Sequence, residues 1–217
     1  SDVVKLLIGA EGVNINQAEE DGMTALYFAS QNGHSDVVKL LLGAEGIKLN
    51  QARNDGSTAL YMASQNGHLD VVKLLLDVEE ININQARDDG ATALYIASQE
   101  GHSDVVKLLL AAEEINVSQA RDDGWTALLC ASQNGHLDVV KLLLGAEAIN
   151  INQAEEDGVT ALYIASENGH LDIVKLLLGA EEINVNQARD NGCTALFMAS
   201  QNGHLDVVKL LIGAEEI

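Results

Sequence analysis

The stretch Asp55-Gly56-Ser57-Thr58-Ala59-Leu60-Tyr61-Met62-Ala63-Ser64-Gln65-Asn66-Gly67-His68-Leu69-Asp70-Val71-Val72-Lys73-Leu74-Leu75-Leu76 decides the fold. Gly56 ends a polar stretch, and Thr58 is placed as a helix N-cap, its hydroxyl accepting a backbone N–H that the first turn leaves unpaired. Ala59 to Gln65 then makes two turns, with Leu60 and Ala63 on one face. Gly67 suits the left-handed position that stops a helix. Asp70 stands in the first turn of a second helix, where negative charge meets the positive end of the dipole. Val71, Val72, Leu74, Leu75 and Leu76 supply the apolar side of that helix, and Lys73 faces water. Ile81-Asn82-Ile83-Asn84 alternates apolar and polar, as an extended crossing does, and Asp89-Gly90 turns the chain. The unit reads as helix, tight turn, helix, hairpin-like loop.

The unit recurs. Thr-Ala-Leu begins at Thr24, Thr58, Thr92, Thr126, Thr160 and Thr194, each step 34 residues long. The Gly-His pairs ending at His34, His68, His102, His136, His170 and His204 keep the same step, as do Lys39, Lys73, Lys107, Lys141, Lys175 and Lys209. Helices shorter than about 12–15 residues are marginal alone in water, so each pair must bury its apolar stripe on its neighbours, which forces a stack. The expectation is a single all-α array over 1–217. Residues 1–20 form a partial repeat, 21–54, 55–88, 89–122, 123–156 and 157–190 are full repeats, and 191–217 are a last, truncated one. The helices at 3–8 and 207–212 keep the ordinary repeat sequence rather than polar caps, and the start at Ser1 without Met suggests an excised or processed piece.

The quoted run resembles the ankyrin repeat, whose pattern is D-G-x-T-P-L-H-x-A-A-x-x-G-H-x-x-V-V-x-L-L-L. The resemblance covers the whole chain and implies an ankyrin-repeat solenoid of stacked helix-turn-helix units joined by hairpin-like loops. Three features depart from the pattern. Ala59 and its equivalents replace the family's proline. Tyr61, with Tyr27, Tyr95, Tyr163, Leu129 and Phe197 at the same position, replaces its histidine, so the Thr–His bond that ties neighbouring ankyrin repeats is not expected here. The loop Asp77 to Asn84 is one residue longer than usual.

Composition restricts function. Net charge is −21, with 33 acidic and 12 basic side chains, a surface that repels phosphate backbones and favours a basic protein surface. No apolar run approaches the roughly 18 residues of a membrane span. Two cysteines, Cys130 and Cys193, make no disulfide framework and point to a reducing, cytoplasmic setting. The histidines lie one per unit, too far apart for one zinc ion, and the acidic loops lack calcium-loop spacing, so neither metal nor cofactor is expected. Asn116-Val117-Ser118 matches a glycosylation sequon. Every histidine, and every serine but Ser57 and Ser118, belongs to the repeated set, so no catalytic constellation stands out and an enzyme is not expected.

The residue before each Thr differs in every unit: Met23, Ser57, Ala91, Trp125, Val159 and Cys193. The resemblance implies that this column lies on the concave face, where ankyrin arrays contact proteins. The hairpin tips Asp21, Asp55, Asp89, Asp123, Asp157 and Asn191 flank it. Trp125, the single tryptophan, reads either as an interface anchor or as a ring folded over its own array. A second varying column, Phe28, Met62, Ile96, Cys130, Ile164 and Met198, is apolar throughout and reads as core between helices. The function expected is a protein–protein interaction module with a concave, acidic face, monomeric, with end-to-end stacking open to it. A spacer from a longer array and a consensus-designed scaffold are the alternatives.

Overall fold

In a computed structural model, which describes residues 13–214, twelve helices follow one another in pairs. The helix expected at 3–8 lies outside the described residues. The chain divides into two compact units, Ser1–Ile115 and Asn116–Ile217. The first holds α1 (Ala25–Gln31), α2 (Ser35–Leu42), α3 (Ala59–Gln65), α4 (Leu69–Leu76), α5 (Ala93–Gln99) and α6 (Ser103–Leu110). The second holds α7 (Ala127–Gln133), α8 (Leu137–Leu144), α9 (Ala161–Glu167), α10 (Leu171–Leu178), α11 (Ala195–Gln201) and α12 (Leu205–Ala214).

Within each unit, first helices pack on first helices (α1 on α3 on α5; α7 on α9 on α11) and second helices on second helices, giving two layers. The core lies between them. Val71, Val72 and Leu75 of α4 are buried against Leu60 and Ala63 of α3, and α5–α6 and α9–α10 repeat the set. At about 25 cal/mol per Å² of apolar surface, such sealed aliphatic side chains are the main stabilising term for helices this short.

The threonine caps form as the sequence implies. Thr24, Thr58, Thr92, Thr126, Thr160 and Thr194 are extended, and each side chain accepts the N–H three residues on, as Thr58 does from Tyr61 at 3.1 Å. Gly67 has a φ of 68°, and a Cβ on it would stand 2.7 Å from the His102 ring, so only glycine fits. That contact explains the histidines. His68 Nε2 bonds the Gln31 carbonyl at 3.0 Å, His102 the Gln65 carbonyl at 3.0 Å, and His170 the Gln133 carbonyl at 3.0 Å. Each ring therefore pairs a carbonyl at the end of the preceding repeat's first helix.

The long loops are stapled by asparagine. Asn50 donates to the Glu80 carbonyl at 2.7 Å and accepts from Asn82 N–H at 2.8 Å. Asn16 and Asn152 make the same double contact with the following loop. At the same position Ser118 donates to the Ala148 carbonyl at 2.9 Å and accepts from Asn150 N–H at 3.2 Å.

Candidate functional site

Each hairpin before a first helix closes on two backbone bonds, such as Arg87 N–H to the Ala91 carbonyl and Gly90 N–H to the Arg87 carbonyl, both at 2.9 Å, with glycine at a positive φ at its tip. The tip carboxylates have structural work. Asp55, Asp89 and Asp123 each accept the N–H two residues on, from Ser57, Ala91 and Trp125 at 3.0–3.2 Å, and Asn191 does the same for Cys193. Asp157 is freed from that duty. Glu155 caps its own hairpin by accepting from Asp157 and Val159 N–H, leaving the Asp157 carboxylate to Arg189 at 3.1 Å. Burial alone would raise the Asp55 pKa, but the Ser57 hydroxyl and N–H, with the Arg53 charge, hold it below the usual aspartate value. The exposed rim combines the preceding position, Glu20, Asn54, Asp88, Asp122, Glu156 and Asp190, with the exposed tips Asp21, Asp157 and Asn191.

The varying column is less exposed than its variability implies. Ser57 and Ala91 are 2% exposed and Val159 8%, while Met23, Trp125 and Cys193 are half-buried. The second varying column is core in its middle members, Met62, Ile96, Cys130 and Ile164, but Phe28 is exposed.

In the first unit the hairpins and first helices bound an open cleft of about 470 Å³, lined by Met23, Phe28, Tyr61, Gln65, Arg53 and Arg87 among others. Two of its tyrosines tie one repeat to the next. Tyr27 shares a hydrogen bond with Ser57 Oγ at 3.2 Å, and Tyr61 accepts from Arg87 at 3.2 Å with the guanidinium 5.4 Å from its ring centre. Tyr27 and Tyr61 thus join successive repeats from the position where the resemblance led histidine to be expected. Burial raises the Tyr61 pKa, so its hydroxyl stays protonated and the Arg87 contact holds through neutral pH.

In the second unit Val159, Tyr163 and Ile164 form an apolar bed, and Trp125, Cys193 and Met198 pack against it. Arg189 stacks 5.7 Å from the Tyr163 ring centre. Trp125 is therefore folded onto its own array while still partly open to solvent. The arginines are what sequence reasoning missed. Arg53, Arg87, Arg121 and Arg189 all occupy one column, whose other two members are Glu19 and Glu155, and that swap of charge sign was the available signal. Arg53 reaches Asp21 and Asp55, and Arg121 reaches Asp123 at 3.1 Å. Among the described residues no group of three or more His, Cys, Asp or Glu could hold a metal ion, and no helix is long and apolar enough to cross a membrane.

Paired short helices, threonine caps and histidine-to-carbonyl ties define a stacked helical-repeat protein. The ankyrin-repeat family model matches residues 1–87, 78–154 and 147–217, and the chain belongs to the ankyrin repeat family. Its structure is similar to that of the ankyrin repeat protein EF0377, with a TM-score of 0.80, 28% identity, and 90% of this chain and 98% of that one covered. It is also similar to an ankyrin repeat domain from Acinetobacter baumannii AYE, with a TM-score of 0.78, 27% identity, and 88% and 97% covered. No curated protein matches the chain.

Proposed function

We propose that the chain is a protein-binding module that holds its partner along the hairpins and first helices, with Trp125 as apolar anchor and the acidic rim meeting a basic surface. Ankyrin repeats serve generally as protein–protein interaction modules rather than enzymes. The observation that carries the finer reading is the setting of Trp125, partly buried on a bed of Val159, Tyr163 and Ile164. A large ring already fixed in place loses little entropy when a partner covers it, which is why such residues dominate binding energies. Beside it Asp122 and Glu156 are exposed, and a net charge of −21 steers a basic partner towards the molecule.

The test is affinity capture with the intact chain, followed by titration of the captured protein against Trp125→Ala and against rising salt. Truncating an anchor is expected to weaken binding by more than about tenfold, and moderate salt to weaken it further. A partner bound equally well by Trp125→Ala and indifferent to salt would remove this reading.

A further inference from the structure

The chain carries six Asn-Gly pairs, ending at Gly33, Gly67, Gly135, Gly169, Gly192 and Gly203. Such pairs are prone to one reaction because glycine leaves its backbone nitrogen uncrowded. That nitrogen loses its proton to hydroxide and attacks the asparagine Cγ. An N–Cγ bond forms, the Cγ–Nδ2 bond breaks, and ammonia leaves. Water then opens the cyclic imide at either carbonyl, giving aspartate or isoaspartate. The fold treats the six pairs unequally.

Five of the asparagines, Asn32, Asn66, Asn134, Asn168 and Asn202, are helix C-caps. The side-chain amide of each donates to a backbone carbonyl at 2.7–2.9 Å, which ties down the group that would have to leave. Behind four of them the glycine is pressed against a histidine ring, a built Cβ standing 2.6–2.9 Å from His68, His102, His170 or His204. Cyclisation there requires unwinding a helix end and displacing a ring.

Asn191 is placed differently. It sits in an exposed hairpin tip, and its Oδ1 accepts the Cys193 N–H at 3.0 Å. A donor on that oxygen polarises Cγ towards attack and stabilises the charge that develops there. Gly192 N–H is paired with the Arg189 carbonyl at 2.8 Å, so this bond must open first. Opening it unwinds no helix, since Gly192 is exposed and precedes α11.

We infer that Asn191 is a self-modification site, deamidating in the folded protein ahead of the other five asparagines. The aspartate product restores the residue present at Asp21, Asp55, Asp89, Asp123 and Asp157 and adds one negative charge to the hairpin rim.

The test is incubation of the native chain in mildly alkaline buffer, with a parallel sample in denaturant, followed by digestion and mass spectrometry. In the native chain the Asn191 peptide is expected to gain the amide-to-acid mass about tenfold or more ahead of the capped five, because their local opening is rarer. In denaturant all six should convert at comparable rates. The acidic species that builds up on native isoelectric focusing should be absent from Asn191→Asp. Capped asparagines converting as fast as Asn191 in the native chain would overturn the proposal, as would an unchanged Asn191 where the denatured chain converts.

Discussion

Ser64 lies inside α3, sealed from solvent, with no partner for its hydroxyl, and Ser30, Ser98, Ser132 and Ser166 repeat the arrangement. The family pattern has alanine at this position. A buried hydroxyl without a partner costs about 1–3 kcal/mol, and alanine is the better helix former by a few tenths. Ser64→Ala is therefore expected to raise stability by about 1 kcal/mol, seen as a higher denaturation midpoint at unchanged slope. Ser200 marks the opposite outcome, because its hydroxyl bonds the Leu196 carbonyl at 2.7 Å. A destabilising Ser64→Ala would mean that Ser64 adopts that back-bonded rotamer in solution.

At the scale of the element, the loops separate what the spacing reveals from what it hides. Helices, caps and turn glycines were legible because each depends on residues within four positions, and Thr58, Gly67 and Asp70 declare themselves. The asparagine staple was not, because Asn50 meets Glu80 and Asn82, one loop further along, and nothing local requires that pairing. The same reason hid the burial of Ser57 and Ala91. Variation between repeats suggested a free surface, but both side chains are buried, Ser57 beside Tyr27 of the preceding repeat, and exposure of that kind is a property of the stack. The staple is open to test. Asn50→Ala removes two hydrogen bonds and leaves a loop carbonyl and an N–H to water, so a loss of about 1–2 kcal/mol in chemical denaturation is expected. Ser118 reaches Asn150 N–H only at 3.2 Å, where Asn50 holds its partner at 2.8 Å. Ser118→Asn should accordingly gain a fraction of Asn50's contribution and, in the same step, remove the sequon at Asn116. Equal stability in all three proteins would show that solvent satisfies these loops as well as the staple does.

For the molecule as a whole, charge sets the remaining balance. The chain has 33 acidic side chains against 12 basic ones, and the visible ion pairs are at least partly exposed, such as Arg53–Asp21 at 3.8 Å between successive hairpins and Lys141–Asp138 at 3.3 Å within one helix. Exposed pairs of this kind contribute about 0–1 kcal/mol each, and salt weakens them. The unpaired acidic excess repels itself, and salt weakens that too, with the screening length falling from about 30 Å at 0.01 M to about 10 Å at 0.1 M. Because the excess of 21 exceeds the number of pairs lost, relief of repulsion wins, and the midpoint of thermal unfolding should rise between those concentrations of sodium chloride. Each kcal/mol gained shifts the midpoint by about 2–4 °C in a chain of this size. Chloride is the right anion for the measurement, since sulfate stabilises folded proteins by exclusion whatever their charge. A neutralised variant separates the causes. Glu80 is exposed and uses only its backbone carbonyl, in the contact with Asn50. Glu80→Gln should therefore raise the midpoint at low salt and lose that advantage at moderate salt. A midpoint that stays flat or falls with chloride would show that the local arginine and lysine pairs, rather than net repulsion, govern the stability of the array.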